Sequence, residues 1–265
     1  MDEALFVSED DGWLPTEHAR GPWYPEALHG GPVAALLARA LEQVPSGGTG
    51  PFHTARVTVE LLRPVGVAQL SLSSSLARPG RKVQLVEVEA RQAGAPVARA
   101  RAVRIRTAAV AVPEAAADPA PGETAPPGPD RGRRVPAPRT DRPGFHHTGA
   151  ELRFVAGSFT EPGPATVWVR LAVPVVPGEA PSALQRAVGA ADFGNGVASP
   201  LAFGEYLFIN PDLTVYLSRP PVGEWVALEA RMSAEPTGVG LAQSRLWDTE
   251  GVVGRSLQSL LVEAE

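Results

Sequence analysis

The stretch TVELLRPV at residues 58–65 returns as TVYLSRPP at residues 214–221. The two octapeptides have Thr, Val, Leu, Arg and Pro at the same places, with an offset of 156 residues (214 − 58). The turn glycines Gly94 and Gly251 are 157 residues apart, so the offset hardly changes toward the end of each half. A near-constant offset over this length is typical of an internally duplicated supersecondary unit.

The first copy of the unit is predicted to be one helix followed by four strands. Residues 29–44, HGGPVAALLARALEQV, place their apolar side chains on one helical face. Pro32 suits the first helical turn, because its missing N–H is not needed there. Four runs with period-2 alternation follow, separated by Pro or Gly turns. These runs are residues 53–62, 68–78, 82–92 and 96–106.

The second copy repeats this pattern. Residues 151–159 and 166–175 are predicted to be early strands, and residues 181–199 a helix with Pro181 in its first turn. A long antiparallel run is predicted at residues 204–220, 224–236, 239–249 and 252–264. One long helix on a strongly bent antiparallel sheet, present twice, is an α+β architecture.

A stretch rich in Pro, Ala, Gly and charged residues, 108–145, separates the two copies. It lacks any period of 2 or 3.6, which predicts an extended or disordered connector. The sequence therefore predicts an N-terminal unit over 1–107, a linker over 108–145 and a C-terminal unit over 146–265. His146 and His147, at the edge of the linker, are expected to be solvated rather than bound to a metal.

The composition is that of an ordinary globular protein with a real core. Hydrophobic residues make up 44% and charged residues 20%. The net charge of −5 argues against a nucleic-acid partner, since such proteins are usually basic. The N-terminus is acidic and unlike a signal peptide, and no stretch approaches the roughly 20 apolar residues of a membrane helix. We therefore expect a cytoplasmic protein with no membrane partner.

The sequence also lacks the motifs of several common active sites. The absence of cysteine excludes disulfides, Cys-ligated zinc, iron–sulfur clusters and a thiol nucleophile. There is no GxSxG, no phosphate-binding glycine loop and no HExxH. We therefore expect neither a cofactor nor a metal.

Asp192 is the most informative residue of the predicted second helix. It follows Val188 by four residues and Leu184 by eight, so it lies within the apolar stripe of the helix. A buried ionised carboxylate needs a partner, a hydrogen bond or a proton. In an apolar groove such a group can act as a general base toward water. The alternative is an exposed carboxylate at a frayed helix end.

Two strands of the second half add polar groups. In residues 209–217, INPDLTVYL, the side chains of Asn210, Asp212 and Thr214 share one face and could hydrogen-bond a water or a carbonyl. A solvent-exposed strand face is the alternative. Gln258 is an uncharged amide in an otherwise apolar last strand, although a lone strand glutamine is more often a surface residue.

The order of elements resembles the hotdog fold in its duplicated form, and more closely the acyl-CoA thioesterase II family of double hotdog proteins. The resemblance rests on the GGP helix start, the RP after the first long strand and the terminal SLQSLLVE, and it covers the chain outside the linker. It implies an α+β double hotdog fold, with two tandem units in which a bent antiparallel sheet wraps a long helix. It further implies hydrolysis of an acyl-CoA or related acyl thioester to free acid and thiol.

The resemblance also implies roles for individual residues. Enzymes of that family hold the hydrolytic water with an Asp on the second-half helix, a Thr or Ser on the following strand and a Gln on the last strand. Asp192 and Gln258 match the Asp and the Gln. The hydroxyl position falls on Asn210, a departure that still allows hydrogen bonds to water, and Thr214 on the same face is the candidate substitute.

Substrate-binding residues are predicted at the start of the first helix and at the RP turns. His29, Gly30 and Gly31 offer free backbone N–H groups to a thioester carbonyl, and glycine allows its close approach. Plain helix-entry geometry is the alternative for these three residues. Arg219, together with Arg63 in the sister turn, is predicted to contact the phosphates of a CoA tail.

Three functions remain open from the sequence. The leading hypothesis is hydrolysis of an acyl-CoA or acyl thioester substrate by a water that Asp192 activates. The second is a non-catalytic acyl-thioester or lipid-binding protein, which Asn210 in the hydroxyl position favours. The third is a hydratase or dehydratase acting on a thioester, which is disfavoured because such enzymes pair Asp with His and no His stands next to Asp192. A homo-oligomer is expected in each case.

Overall fold

Two central helices lie side by side, and one large antiparallel sheet wraps around them. The computed structural model describes residues 3–48, 50–113, 116, 124–138 and 141–264. The helices pack closely because small residues face each other where they meet: a Cβ at Gly31 would lie 2.7 Å from the carbonyl oxygen of Gly189. Within the described residues, no helix is both long enough and apolar enough to cross a membrane.

The elements follow the duplicated order that the sequence predicts. The first half contains β1 (Phe6–Glu9), β2 (Gly12–Pro15), α1 (Gly30–Gln43), β3 (Phe52–Leu61), β4 (Ser71–Arg78), β5 (Val83–Gln92) and β6 (Ala95–Arg106). The second half contains β7 (Ala150–Ser158), β8 (Glu161–Leu171), α2 (Ala183–Ala191), α3 (Gly194–Val197), β9 (Tyr206–Ile209), β10 (Asp212–Leu217), β11 (Val226–Ala234), β12 (Val239–Asp248) and β13 (Gly251–Ala264). The predicted α+β architecture is confirmed.

The two halves share a single sheet, joined where β3 pairs with β10. The strand order is β4-β5-β6-β3-β10-β13-β12-β11-β8-β7, and β9 adds to β13. In the β3–β10 pair Thr58 lies opposite Thr214, and the two hydroxyls are 3.1 Å apart. These are the two threonines that open the repeated octapeptides, so the duplicated strands meet at equivalent residues. The internal repeat therefore pairs with itself, as two subunits do across a twofold axis.

The second helix is shorter than predicted and is broken in two. Ser182 caps α2, because its hydroxyl accepts a hydrogen bond from the N–H of Gln185 at 3.1 Å. Pro181 therefore precedes the cap, and its predicted place in the first helical turn is wrong. The helix ends at Ala191, and Asp192 takes the C-cap position.

Part of the predicted linker packs on the second half of the sheet. Arg133 exchanges backbone hydrogen bonds of 2.9 and 2.8 Å with Phe154 of β7. The indole N–H of Trp168 in β8 donates to the carbonyl oxygen of Pro127 at 2.7 Å. Residues 127–133 thus contact the β7–β8 edge of the sheet through one isolated bridge and one side-chain hydrogen bond. The domain boundaries at 107 and 146 remain a prediction.

A buried acid anchors this segment. Glu151 on β7 accepts hydrogen bonds from Arg134 at 2.5 Å, Arg153 at 2.9 Å and Arg170 at 2.6 Å. Burial raises the pKa of Glu151, but the bonds from Arg170, Arg134 and Arg153 outweigh this and lower the pKa to about 2. The guanidinium groups of Arg153 and Arg170 also lie over the ring of Trp225, 4.9 and 5.1 Å from its centroid.

We predict that Glu151→Gln destabilises the protein by about 1–3 kcal/mol at pH 7, because three arginines lose their shared acceptor charge. The pKa of Glu151 is lowered on folding from 4.5 to about 2, so its contribution is complete above about pH 4.5 and is lost as pH falls toward 2. Urea unfolding at pH 7 and pH 3 measures this difference. Glu161→Gln is the control, since Glu161 and its partner Arg133 are both mostly exposed. Equal stability of the two variants at pH 7 would contradict the prediction.

Candidate active site

The carboxylate of Asp192 is buried where the end of α2 meets the start of α1. Only 4% of the residue is exposed, which excludes a frayed and solvated helix end. Oδ1 accepts a hydrogen bond of 2.9 Å from the amide nitrogen of Asn210. Oδ2 lies 2.8 Å from Nδ1 of His29. Each carboxylate oxygen therefore has one protein partner, and each retains a lone pair.

The expectation that no histidine accompanies Asp192 is wrong, because His29 lies beside it. No histidine is near Asp192 in the sequence, but the fold brings the N-cap residue of α1 against the C-cap residue of α2. Nδ1 of His29 also lies 3.1 Å from the N–H of Gly31. One nitrogen carries either a proton or a lone pair, so these two hydrogen bonds exclude each other. Because the carboxylate can only accept, Nδ1 bears the proton whenever it bonds to Asp192.

Gly30 lets the carboxylate approach the start of α1. A Cβ at this position would lie 2.8 Å from both oxygens of Asp192. Gly30 is the first residue of α1 and lines a cleft, and a first-turn N–H has no partner within its own helix. Gly31 is buried instead, and a Cβ there would lie 2.6 Å from the ring of Phe145. Of the two predicted glycines, Gly30 is the one that faces the cleft.

Gln258 supports the turn after α2 from behind. Its side chain is 1% exposed, and its Nε2 donates to the backbone carbonyl of Asp192 at 3.3 Å. Its Oε1 accepts from the N–H of Asn195 at 3.2 Å. The predicted surface alternative for Gln258 is therefore excluded. The amide fixes the backbone on both sides of Phe193.

Two other predicted residues lie away from Asp192. The hydroxyl of Thr214 donates to that of Thr58 at the β3–β10 seam, and Thr214 does not line the cleft. Arg219 forms a bidentate ion pair with the buried carboxylate of Asp248, with one contact of 2.7 Å. Its sister Arg63 is exposed and stands at the rim of the cleft. Arg63 is thus better placed than Arg219 to meet a ligand.

The cleft in front of Asp192 has a volume of about 230 Å³ and walls that are mostly apolar. Both halves of the chain contribute to it. Its apolar and aromatic walls include Trp23, Val33, Leu61, Phe159, Phe193, Phe203 and Ile209. Three polar side chains, His29, Asp192 and Asn210, meet at one place in this lining. Such a cleft is the usual form of a small-molecule site.

The predicted linker edge also contributes to the site, which the sequence interpretation missed. His146 is 7% exposed and lines the cleft, so its expected solvation is wrong. It belongs to a π-helical turn over Phe145–Gly149. The ring of Phe145 lies 5.1 Å from that of His29 and stacks on Phe193 at 5.1 Å. This turn therefore helps to hold His29 in place.

A second cleft, of about 560 Å³, lies at the equivalent place in the duplicated structure. Four residues of one cleft are related to four of the other by an offset of 156. The pairs are His53 and Ile209, Thr54 and Asn210, Leu61 and Leu217, and Pro64 and Pro220. At the end of α1 the second cleft has a buried cation, Arg104, and its acid, Glu42, is exposed. Arg104 donates to the backbone carbonyls of Leu41 and, at 2.8 Å, Val44.

Comparisons with known families agree with this architecture. The family model described as the acyl-CoA thioesterase C-terminal domain matches residues 118–262, and the acyl-CoA thioesterase N-terminal domain model matches residues 19–105. No curated protein matches the sequence significantly.

Solved structures show the same fold at low sequence identity. A thioesterase II candidate from Thermobifida fusca YX has a TM-score of 0.74 at 19% identity, covering 97% of this chain and 95% of its own. A protein of unknown function with a hot dog fold from Alicyclobacillus acidocaldarius has a TM-score of 0.73 at 18% identity, with coverages of 98% and 96%. The acyl-CoA thioesterase II TesB2 of Mycobacterium marinum has a TM-score of 0.62 at 15% identity, with both coverages at 89%. The predicted double hotdog fold is confirmed.

Proposed function

The chain belongs to the acyl-CoA thioesterase family, and we propose that it hydrolyses its acyl-CoA substrate with a water molecule that Asp192 activates. As a member of this family, it is a double hotdog enzyme that hydrolyses thioesters. The observation that carries the residue assignment is the buried carboxylate at the meeting point of α1 and α2, which opens onto an apolar cleft. No cofactor is needed for this reaction.

Asp192 is suited to accept a proton from water. Its two oxygens each keep a lone pair after bonding to Asn210 and His29, so a water in the cleft can donate to the carboxylate. An aligned carboxylate that takes this proton as the water attacks contributes typically 10²–10⁴-fold to the rate. The proton leaves the water oxygen as that oxygen bonds to the thioester carbon.

Asn210 and Gln258 differ in their support of this step. Asn210 holds the carboxylate itself and lines the cleft, so it can also contact the attacking water. Gln258 is bonded to the backbone of Asp192 and Asn195, and we assign it the positioning of the turn that carries the base. Nothing in the contacts of Thr214 supports a role beside Asp192.

The start of α1 is suited to the negative charge that develops on the carbonyl oxygen. Gly30 provides a free first-turn N–H at the positive end of the helix dipole, close to the carboxylate that activates water. The apolar and aromatic wall of the cleft would receive the acyl group, and Arg63 at the rim would meet the phosphates of CoA. The sequence disfavours a hydratase because no His stands next to Asp192. The fold does bring His29 to Asp192, but membership of the thioesterase family favours hydrolysis.

We further propose that the chain forms a homo-oligomer through the outer face of the second half of the sheet. Exposed apolar side chains occur on the outer face of the neighbouring strands β10, β12 and β13. They are Tyr216, Val239, Leu241, Leu257 and Leu261, and Val239 lies directly opposite Leu261. Apolar groups clustered on a surface in this way often mark a protein interface.

We predict that Asp192→Asn lowers kcat for acyl-CoA by 10²-fold or more, because an amide cannot accept the proton of the water. Release of free thiol, followed with DTNB, measures the rate, and the chain has no cysteine of its own to react. Asp212→Asn is the matched control, because the Asp212 carboxylate accepts a bond from the N–H of Ser259, the residue does not line the cleft, and its backbone bond to Asn210 is unaffected by the substitution. Unchanged turnover in Asp192→Asn would refute the assignment of the base.

We predict that Gly30→Ala also lowers kcat, by about 10²-fold, because its methyl group would displace the Asp192 carboxylate by contact at 2.8 Å. Gly196→Ala is the control in the same cleft, since a Cβ there meets no heavy atom within 4 Å. The same thiol-release assay compares the two. If the two variants were equally active, the close approach at Gly30 would not matter for catalysis.

We predict that Leu241→Lys combined with Leu257→Lys shifts the protein toward the monomer, because two charges would be buried in the proposed interface. Sedimentation velocity measures the mass. Val110→Lys is the control, since Val110 is exposed but outside the sheet. A wild-type chain that sediments as a monomer would overturn this proposal.

A further inference from the structure

His29 has one ring nitrogen directed to Asp192 and one left for the substrate. Nδ1 lies 2.8 Å from Oδ2 of Asp192, and the side chain is 11% exposed. Within the described residues Nε2 has no hydrogen-bond partner. It is not fully buried, so a ligand can supply one. Since the ring lines the cleft, Nε2 is the part of His29 that a ligand can reach.

The ring is held in this orientation by aromatic contacts. Phe145 lies edge-on to it at 5.1 Å and Phe193 lies at 4.9 Å, while the two phenyl rings stack on each other. Both phenylalanines are fully buried or nearly so. With Nδ1 bonded to Asp192 and two rings packed against its sides, the imidazole cannot turn freely. Its second nitrogen therefore has a fixed direction.

We propose that His29 is a catalytic residue that protonates the leaving sulfur through Nε2, an inference that rests on the proposed function. In its imidazolium form the ring donates Nδ1–H to Asp192 and still carries a proton on Nε2. Hydrolysis needs two proton transfers, one from water and one to sulfur, and two adjacent groups divide them. Asp192 takes the first proton and His29 supplies the second.

Hydrolysis exchanges the C–S bond of the thioester for a C–O bond. The water oxygen bonds to the thioester carbon, and its proton goes to Asp192. The C–S bond then breaks with its electron pair on sulfur, and the Nε2 proton of His29 goes to that sulfur, giving the acid and the thiol. Asp192 is left protonated and His29 neutral. Loss of the Asp192 proton to solvent and uptake of one at Nε2 restore the starting state.

Other titratable side chains of the cleft are less suited to this role. Besides His29 and Asp192, the lining contains Tyr24, Arg63 and His146. Tyr24 is 45% exposed and Arg63 is exposed at the rim, where a proton donor has no fixed direction. Of these groups, His29 is the one in direct contact with the proposed base.

The test compares two esters of the same acyl group. One is the acyl-CoA, whose thiol is weakly acidic, and the other is the S-phenyl thioester, whose far more acidic thiol leaves without a proton. We expect His29→Asn to lose about 10²-fold or more on acyl-CoA and less than 10-fold on the phenyl thioester. Asn is chosen because it is also a good helix N-cap. Asp192→Asn should lose rate on both esters, since both need the attacking water.

His29→Gln is a second variant that keeps a hydrogen-bonding side chain without a transferable proton. Turnover of the phenyl thioester by either His29 variant itself shows that the site is folded. Equal losses on the two esters in both variants would overturn the role of His29 as an acid and leave the proposed function intact. A wild-type chain that releases thiol from neither ester would overturn the proposed function, and the assignment of His29 with it.

Discussion

The buried carboxylate of Asp192 is the constraint around which the rest of this structure is arranged. A charge that is 4% exposed must be matched by donors, and the chain supplies two of them from separate elements, while a third element holds the backbone. His29 comes from the start of α1, Asn210 from the bend before β10, and Gln258 holds the backbone of the turn. The site therefore exists only when both halves are assembled, and stability and chemistry depend on the same contacts.

Much of the fold could be predicted because the duplication is visible in local patterns. Period-2 runs and the repeated octapeptide place the long strands, and Thr58 and Thr214 turn out to be paired across the seam. The sequence did not show that α2 would stop at Ala191, because the residues beyond it continue the apolar spacing. The packing of residues 124–138 was also hidden, since it depends on Glu151, an acid whose three arginine partners converge only in the folded chain.

The site was predictable where one residue contradicts its surroundings. Asp192 is such a residue, an acid within an apolar helical stripe, and its burial agrees with the pattern. His29 is 163 positions away (192 − 29), and no periodicity connects the two. Arg219 and Arg63 occupy equivalent turns, so sequence could not separate them. In the structure Arg219 is paired with Asp248, and Arg63 is the one of the two that lines the cleft.

The seam between β3 and β10 has a consequence for how this molecule can change over time. In a dimer of identical chains, any substitution at one cleft must appear at the other. Here the equivalent positions are encoded separately, so Arg104 can fasten the end of α1 while Asp192 occupies the end of α2. Identical halves would carry both the buried cation and the buried anion in each cleft, whereas here Arg104 lies in one cleft and Asp192 in the other. In a single chain, each half can therefore change its cleft without the same change in the other half.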